Sequence, residues 1–171
     1  IGLMIIGIIG IYFVALKPEI IPEMQYKYYP QRFDTKYLRE YYGWQELGDK
    51  LNQILASSPK DSFLISRAYT LSAQISFYTP THPFCHLFGK GGVYGRNYFY
   101  WTDWDKLKGR DAIYIALNPI KGREEEMLRK AFQEVRFLEV LPIYYKGRLV
   151  RSFYLYYGSG FIYNPYQAGK N

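Results

Sequence analysis

Apolar side chains follow two regimes along this chain. Residues 1–16 carry no charged or strongly polar side chain, and Lys17-Pro18 ends the run abruptly. At about 1.5 Å per residue, such a helix covers roughly 24 Å of a hydrocarbon core about 30 Å thick. Gly2, Gly7 and Gly10 suit helix packing within lipid. Residues 1–16 are therefore read as the end of a last transmembrane helix that begins upstream. A signal peptide or single anchor is a weaker reading, because no basic segment precedes the run and Leu16-Lys17-Pro18 is a poor cleavage site. A buried core helix is weaker still, since core helices usually show polar positions.

Residues 17–42 read as a linker in which Pro18, Pro22 and Pro30 oppose regular structure, with a short helical turn over 34–39. If the membrane reading holds, Tyr26, Tyr28 and Tyr29 lie near the head groups. The helical period is clearest over 43–56. There Trp44, Leu47, Leu51, Ile54 and Leu55 share one face, and Glu46, Asp49, Lys50 and Gln53 take the other. Residues 62–66 read as a short buried strand, 69–77 as a second helix and 84–88 as a second strand. A glycine-rich loop over 89–97 and a helical turn over 104–108 lead to a continuous apolar strand over 111–117, of the kind found in buried parallel sheets. An amphipathic helix follows over 123–135. It turns Met127, Leu128, Ala131 and Phe132 inward and places Glu124, Glu125 and Glu126 where the helix dipole favours acids. Residues 137–145 and 149–157 form a hairpin about Lys146-Gly147-Arg148, and 158–171 read as a flexible tail.

The predicted fold is α/β: a small Rossmann-like layered sheet, parallel at its centre, with a C-terminal antiparallel hairpin. Residues 43–157 make that domain.

Composition changes this picture in two ways. Tyr supplies 20 residues and aromatics 20% of the chain, a surplus that suits half-wetted surfaces such as membrane interfaces and carbohydrate sites, though a bias in codon usage gives the same excess. The net charge is +7, all of it after residue 16, which draws the domain toward anionic lipid head groups or phosphate-bearing substrates. Nucleic acid is not expected as a partner, because no helix-turn-helix, zinc-finger or RNA-recognition signature is present and the basic residues are dispersed.

Candidate chemistry is sparse. Cys85 is the only cysteine, so no intrachain disulfide forms, and it reads as a small buried apolar residue. His82 and His86 flank it without recognised ligand spacing, so no metal and no cofactor is expected. The loop Gly89-Lys90-Gly91-Gly92-Val93-Tyr94-Gly95-Arg96-Asn97 matches neither the Walker pattern nor the dinucleotide fingerprint. Asp103 and Asp105 are the only tight carboxylate pair in a loop and read as helix caps. Arg67, Tyr69 and Gln74 follow the carboxyl end of the first strand, where open α/β sheets place their ligands.

Three landmarks then stand out: Tyr42-Gly43-Trp44-Gln45-Glu46-Leu47-Gly48, Phe63-Leu64-Ile65-Ser66-Arg67-Ala68-Tyr69 leading into Gln74-Ile75-Ser76-Phe77-Tyr78, and Asn97-Tyr98-Phe99-Tyr100-Trp101 before Trp104-Asp105-Lys106-Leu107-Lys108-Gly109-Arg110-Asp111-Ala112. Together, from about Asp34 to Tyr157, the chain resembles the C-terminal domain of bacterial dolichyl-phosphate-mannose–protein mannosyltransferase-like glycosyltransferases, a group that also includes the aminoarabinose transferases acting on lipid A. It departs from that pattern at Tyr100, where relatives often carry an acid.

The resemblance implies a multi-pass cytoplasmic-membrane enzyme with this domain on the extracytoplasmic (periplasmic) side. Such an enzyme moves a sugar from a polyprenyl-phosphate donor to a protein or lipid acceptor. It also implies that the catalytic base lies in an early loop outside this chain, so no catalytic residue is assigned and the segment alone is expected to be inactive. Arg96, Asn97, Tyr98 and Trp101 become candidates for a loop facing substrate or the enzyme's own transmembrane domain, with core packing as the competing role for Tyr98 and Trp101. The alternative is a singly anchored, non-enzymatic extracytoplasmic domain that binds carbohydrate or cell-wall material.

Overall fold

The structure, a computed structural model, describes residues 20–28, 35–89 and 95–166. The apolar run 1–16 lies outside them, and among the described residues no helix is long and apolar enough to cross a membrane. Helix α1 (Ile20–Tyr28) and a 3-10 helix (Thr35–Glu40) precede α2 (Trp44–Ser57), β1 (Phe63–Ser66), α3 (Tyr69–Tyr78) and β2 (Cys85–Leu87). There follow α4 (Arg96–Trp101), a 3-10 turn (Asp105–Leu107), β3 (Ala112–Ala116), α5 (Arg123–Ala131), β4 (Phe132–Tyr145) and β5 (Arg148–Phe161).

The five strands form one mixed sheet in the order β2-β1-β3-β5-β4. β1 pairs in parallel with both β2 and β3, and β5 runs antiparallel between β3 and β4. The expected α/β class and C-terminal antiparallel hairpin are thus present, while the parallel strands β2, β1 and β3 occupy one side of the sheet rather than its centre. β1 and β3 are buried at every position because both faces of the sheet are covered.

Their side chains divide by the two-residue period. Phe63, Ile65, Ala112, Tyr114 and Ala116 join one core beneath α5 and the 105–107 turn, with Trp104, Leu107, Leu128 and Phe161. Leu64, Ile113 and Ile115 join the other, beneath α2 and α3, with Trp44, Leu47, Leu51, Leu71, Ile75 and Cys85. A third, small cluster of Leu38, Tyr145 and Val150 closes the turn end of the hairpin, where Tyr26 meets the Tyr145 ring edge-on at 6.4 Å.

α2 begins at Gly43, whose φ of +90° suits glycine, and buries the predicted face through Leu51, with Ile54 and Leu55 half-buried. Gly48 lets α2 press on the end of α3: a Cβ there would lie 2.1 Å from the Tyr78 carbonyl oxygen. Two of the landmark glycines are therefore explained by backbone conformation and close packing.

Four boundaries differ from the sequence reading. Residues 20–28 are helical within the expected linker; Pro22 lies in the first turn, where a missing N–H is tolerated. The helix expected over 123–135 stops at Ala131, because Phe132 and Glu134 pair with Phe161 and Ser159. β5 correspondingly runs to Phe161, so residues 158–161 belong to the sheet rather than to a tail. Gly158 is needed there because a Cβ would lie 2.7 Å from the Phe132 ring. Arg96 and Asn97, read as the end of the 89–97 loop, instead begin α4, while 90–94 lie outside the described residues.

Candidate functional site

The chain leaves β1 toward β2 on one side of the sheet and leaves β3 toward α5 and β4 on the other. The loops that follow β1 and β3 therefore diverge, and a crevice opens beyond the carboxyl ends of these neighbouring parallel strands. The crevice is an open cleft of about 750 Å³ lined by Arg67, Asn118, Pro119, Lys121, Arg123, Glu124 and Tyr166.

Glu124, in the first turn of α5, organises its floor. Its Oε2 accepts from Arg67 Nη1 at 2.8 Å, and its Oε1 accepts a short hydrogen bond from the Tyr114 hydroxyl. Tyr114 is a central residue of β3 and only 2% exposed. Burial, then the Glu124 hydrogen bond, pushes its phenol well above the usual tyrosine range. The same carboxylate raises the pKa of Arg67 through their hydrogen bond. The guanidinium is thus tied through Glu124 to a ring fixed in the core. On its backbone side, Gly89 permits close approach, since a Cβ there would stand 2.7 Å from the Arg67 carbonyl oxygen.

The second place is an exposed aromatic surface. The Tyr98 ring stacks on Phe84 at 5.6 Å, and Trp101 meets Tyr98 at 5.5 Å and Phe84 at 6.5 Å. Trp101 is 62% exposed and Tyr100 85%. Phe84 precedes β2, so this cluster sits toward the amino end of that edge strand, away from the cleft at the carboxyl ends. Beneath it His86 is caged by Phe63, Phe84 and Trp104, with Nδ1 3.0 Å from the Thr102 hydroxyl. Burial, with Arg110 adding to it, lowers the His86 pKa to about 4.

The structure does not bring the seven sequence candidates together in one site. Arg67 lines the cleft, whereas Tyr69 opens α3 and Gln74 is half-buried within it, and neither lines the cleft. Tyr98 and Trp101 come together on α4, beside exposed Asn97. The backbone of Arg96 starts that helix, and its side chain lies outside what is described. For Trp101, core packing is overturned by its exposure, because a six-residue helix on an edge strand turns one side to solvent.

Asp103 caps the 105–107 turn, its carboxylate accepting from the backbone N–H groups of Asp105 and Lys106, whereas Asp105 lies inside the turn. The two acids also pair with Lys106 at 3.2 Å and Lys108 at 2.6 Å. Cys85 is fully buried, and among the described residues no three His, Cys, Asp or Glu side chains cluster as metal ligands.

Sequence reasoning missed Asn118, Lys121, Arg123, Glu124 and Tyr166 as cleft residues. The rule that drew attention to Arg67 at the end of β1 applies equally to the residues after β3, and the first four of these follow that strand directly. A shallower depression of about 480 Å³ beside α2 has less claim to function, because its charges are engaged. Glu139 pairs with Lys50 at 2.7 Å, and Arg136 lies over the Tyr157 ring at 4.6 Å.

No protein-family model matches the chain, and no curated protein or solved structure matches it either.

Proposed function

We propose that this chain is the extracytoplasmic C-terminal domain of a multi-pass membrane glycosyltransferase. In this reading the parent enzyme moves a sugar from a polyprenyl-phosphate carrier to a protein or lipid acceptor, and its catalytic carboxylate lies outside the chain. The sheet, with divergent connections from β1 and β3, would then be a Rossmann-like core that carries recognition surfaces rather than the reaction centre. The observation that carries the reading is an aromatic cluster in which exposed Trp101 and Phe84 flank half-buried Tyr98 on the surface of a basic domain. Rings presented this way stack on the C–H faces of sugars or sit at the bilayer interface, where one side is apolar and the other wet. The apolar run 1–16 and the three sequence landmarks support the membrane and transferase parts of the proposal.

The test is Trp101→Ala in the parent enzyme. Trp101 is exposed, so stability should change by no more than ~0.5 kcal/mol. Sugar transfer in membranes should fall about tenfold, the equivalent of one stacking contact of ~1.4 kcal/mol. Unchanged transfer, or a domain that unfolds, refutes the role given to this surface. The same cluster also favours a second reading, a singly anchored binding domain with no reaction of its own. That reading predicts saturable glycan binding by this chain alone and no dependence on a transferase partner.

A further inference from the structure

We infer that the cleft beyond β1 and β3 binds a phosphoryl or diphosphoryl group, held by Lys121, Arg123 and Arg67. This site lies apart from the aromatic surface and stands whether or not the transferase reading holds.

Charge is the first argument. Three cations and a single carboxylate line the cleft, and that carboxylate is already committed to Arg67 and Tyr114. Neither Lys121 nor Arg123 has an ion-pair partner among the described residues, whereas most acids on α5 and the 105–107 turn are paired with their own lysines and arginines. The cleft therefore carries uncompensated positive charge in a concave place, where low-dielectric walls concentrate the field.

Preorganisation is the second. A guanidinium has five N–H donors, and Glu124 takes one of them, which anchors Arg67 at the cleft through a carboxylate itself bonded to the core residue Tyr114. The remaining donors have no hydrogen-bond partner among the described residues, and their planar fork suits phosphate oxygens. The helix dipole of α5 is not needed for this, since three glutamates already occupy its first turn.

The third argument bears on the size of the ligand. Asn118 also borders a groove of about 330 Å³ that contains Arg39 and Arg151. The Arg151 guanidinium lies over Trp44 at 4.3 Å and over Phe153 at 5.0 Å, and its buried Nε and Nη1 have no hydrogen-bond partner among the described residues. Two basic depressions that meet at Asn118 suit an extended anion better than an isolated phosphate.

The experiment is equilibrium binding of inorganic pyrophosphate to the full chain in neutral detergent micelles, repeated with mixed micelles containing phosphatidic acid. The Lys121→Ala/Arg123→Ala double variant is compared with Lys60→Ala at the opposite end of β1, and far-UV circular dichroism checks each for folding. Saturable binding is expected, weakened at least about tenfold in the double variant and unchanged in Lys60→Ala. Binding of pyrophosphate alone identifies a soluble phosphoryl ligand; displacement of pyrophosphate by phosphatidic acid identifies a lipid head group. No saturable binding of either probe by the folded chain overturns the inference. An equal loss in Lys60→Ala, which would mark mere net-charge attraction, overturns it as well.

Discussion

Gly48→Ala sets two known effects against each other and tests how closely α2 approaches α3. A Cβ at this position would lie 2.1 Å from the Tyr78 carbonyl oxygen, 2.5 Å from its carbon and 2.9 Å from the Thr79 nitrogen. Carbon and oxygen that are not bonded separate to about 3.3 Å, so the two backbones must part by roughly 1 Å. The obstacle is backbone, which has no rotamer to change. Leu47 and Leu51 on one helix and Leu71 and Ile75 on the other share this core and would lose contact together. A gap of about 0.5–1 Å already forfeits a quarter to a half of each dispersion well.

Overpacking of this kind costs ~3 kcal/mol at the upper end of its usual range. Alanine returns ~1 kcal/mol through its better helix propensity. The net loss is then ~2 kcal/mol, and at about 2–4 °C per kcal/mol for a domain of this size the melting temperature should fall by about 4–8 °C. Thermal unfolding followed by circular dichroism measures it. An unchanged or raised melting temperature, the ordinary result at an open helical glycine, would refute the close approach of the two helices.

Two further outcomes follow from buried groups. His86 titrates near pH 4 when folded and at 6.5 as a free side chain, so above pH 6.5 neither state holds the proton. Below that the unfolded chain takes the proton first; stability therefore falls as pH drops from 6.5 toward about 4 and levels off beneath, by a total on the order of 3 kcal/mol. Urea unfolding across this window should show the slope in the parent chain and lose most of it in His86→Gln; identical slopes would exclude His86 as the source. Burial also raises the Cys85 thiol to about 12, so a thiol reagent at mildly alkaline pH should leave it unmodified until denaturant is added. Rapid labelling of the native chain would contradict its burial.

Much of the fold was legible because its signals are local. The face of α2, the wholly apolar β1 and β3, and the Lys146-Gly147 turn each declare themselves within a few residues. The boundaries that moved are those set by distant partners. Nothing between 132 and 135 announces a strand, because what turns that stretch away from helix is pairing with 158–161 nearly thirty residues later. Gly158 and Gly160 resemble loop residues in the sequence, yet one makes room for the Phe132 ring and the other adopts a φ of +60° within a paired strand.

The candidate site shows the same division. Residue types and strand ends are properties of the sequence, and they sufficed to single out Arg67, Tyr98 and Trp101. The α/β class and the basic, aromatic character of the domain were likewise determined there, because hydrophobic period and charge depend only on the order of residues. Which groups meet is decided in three dimensions. Parallel pairing of β1 and β3 brings Arg67 within reach of Glu124, fifty-seven positions away, and sets Lys121 and Arg123 beside it with no ion-pair partner among the described residues. The short α4 on an edge strand leaves Trp101 to solvent when its composition alone would have allowed burial. Strand register and sheet order are cooperative products of the whole core, so the geometry that gathers a site from separate segments exists only once that core has formed.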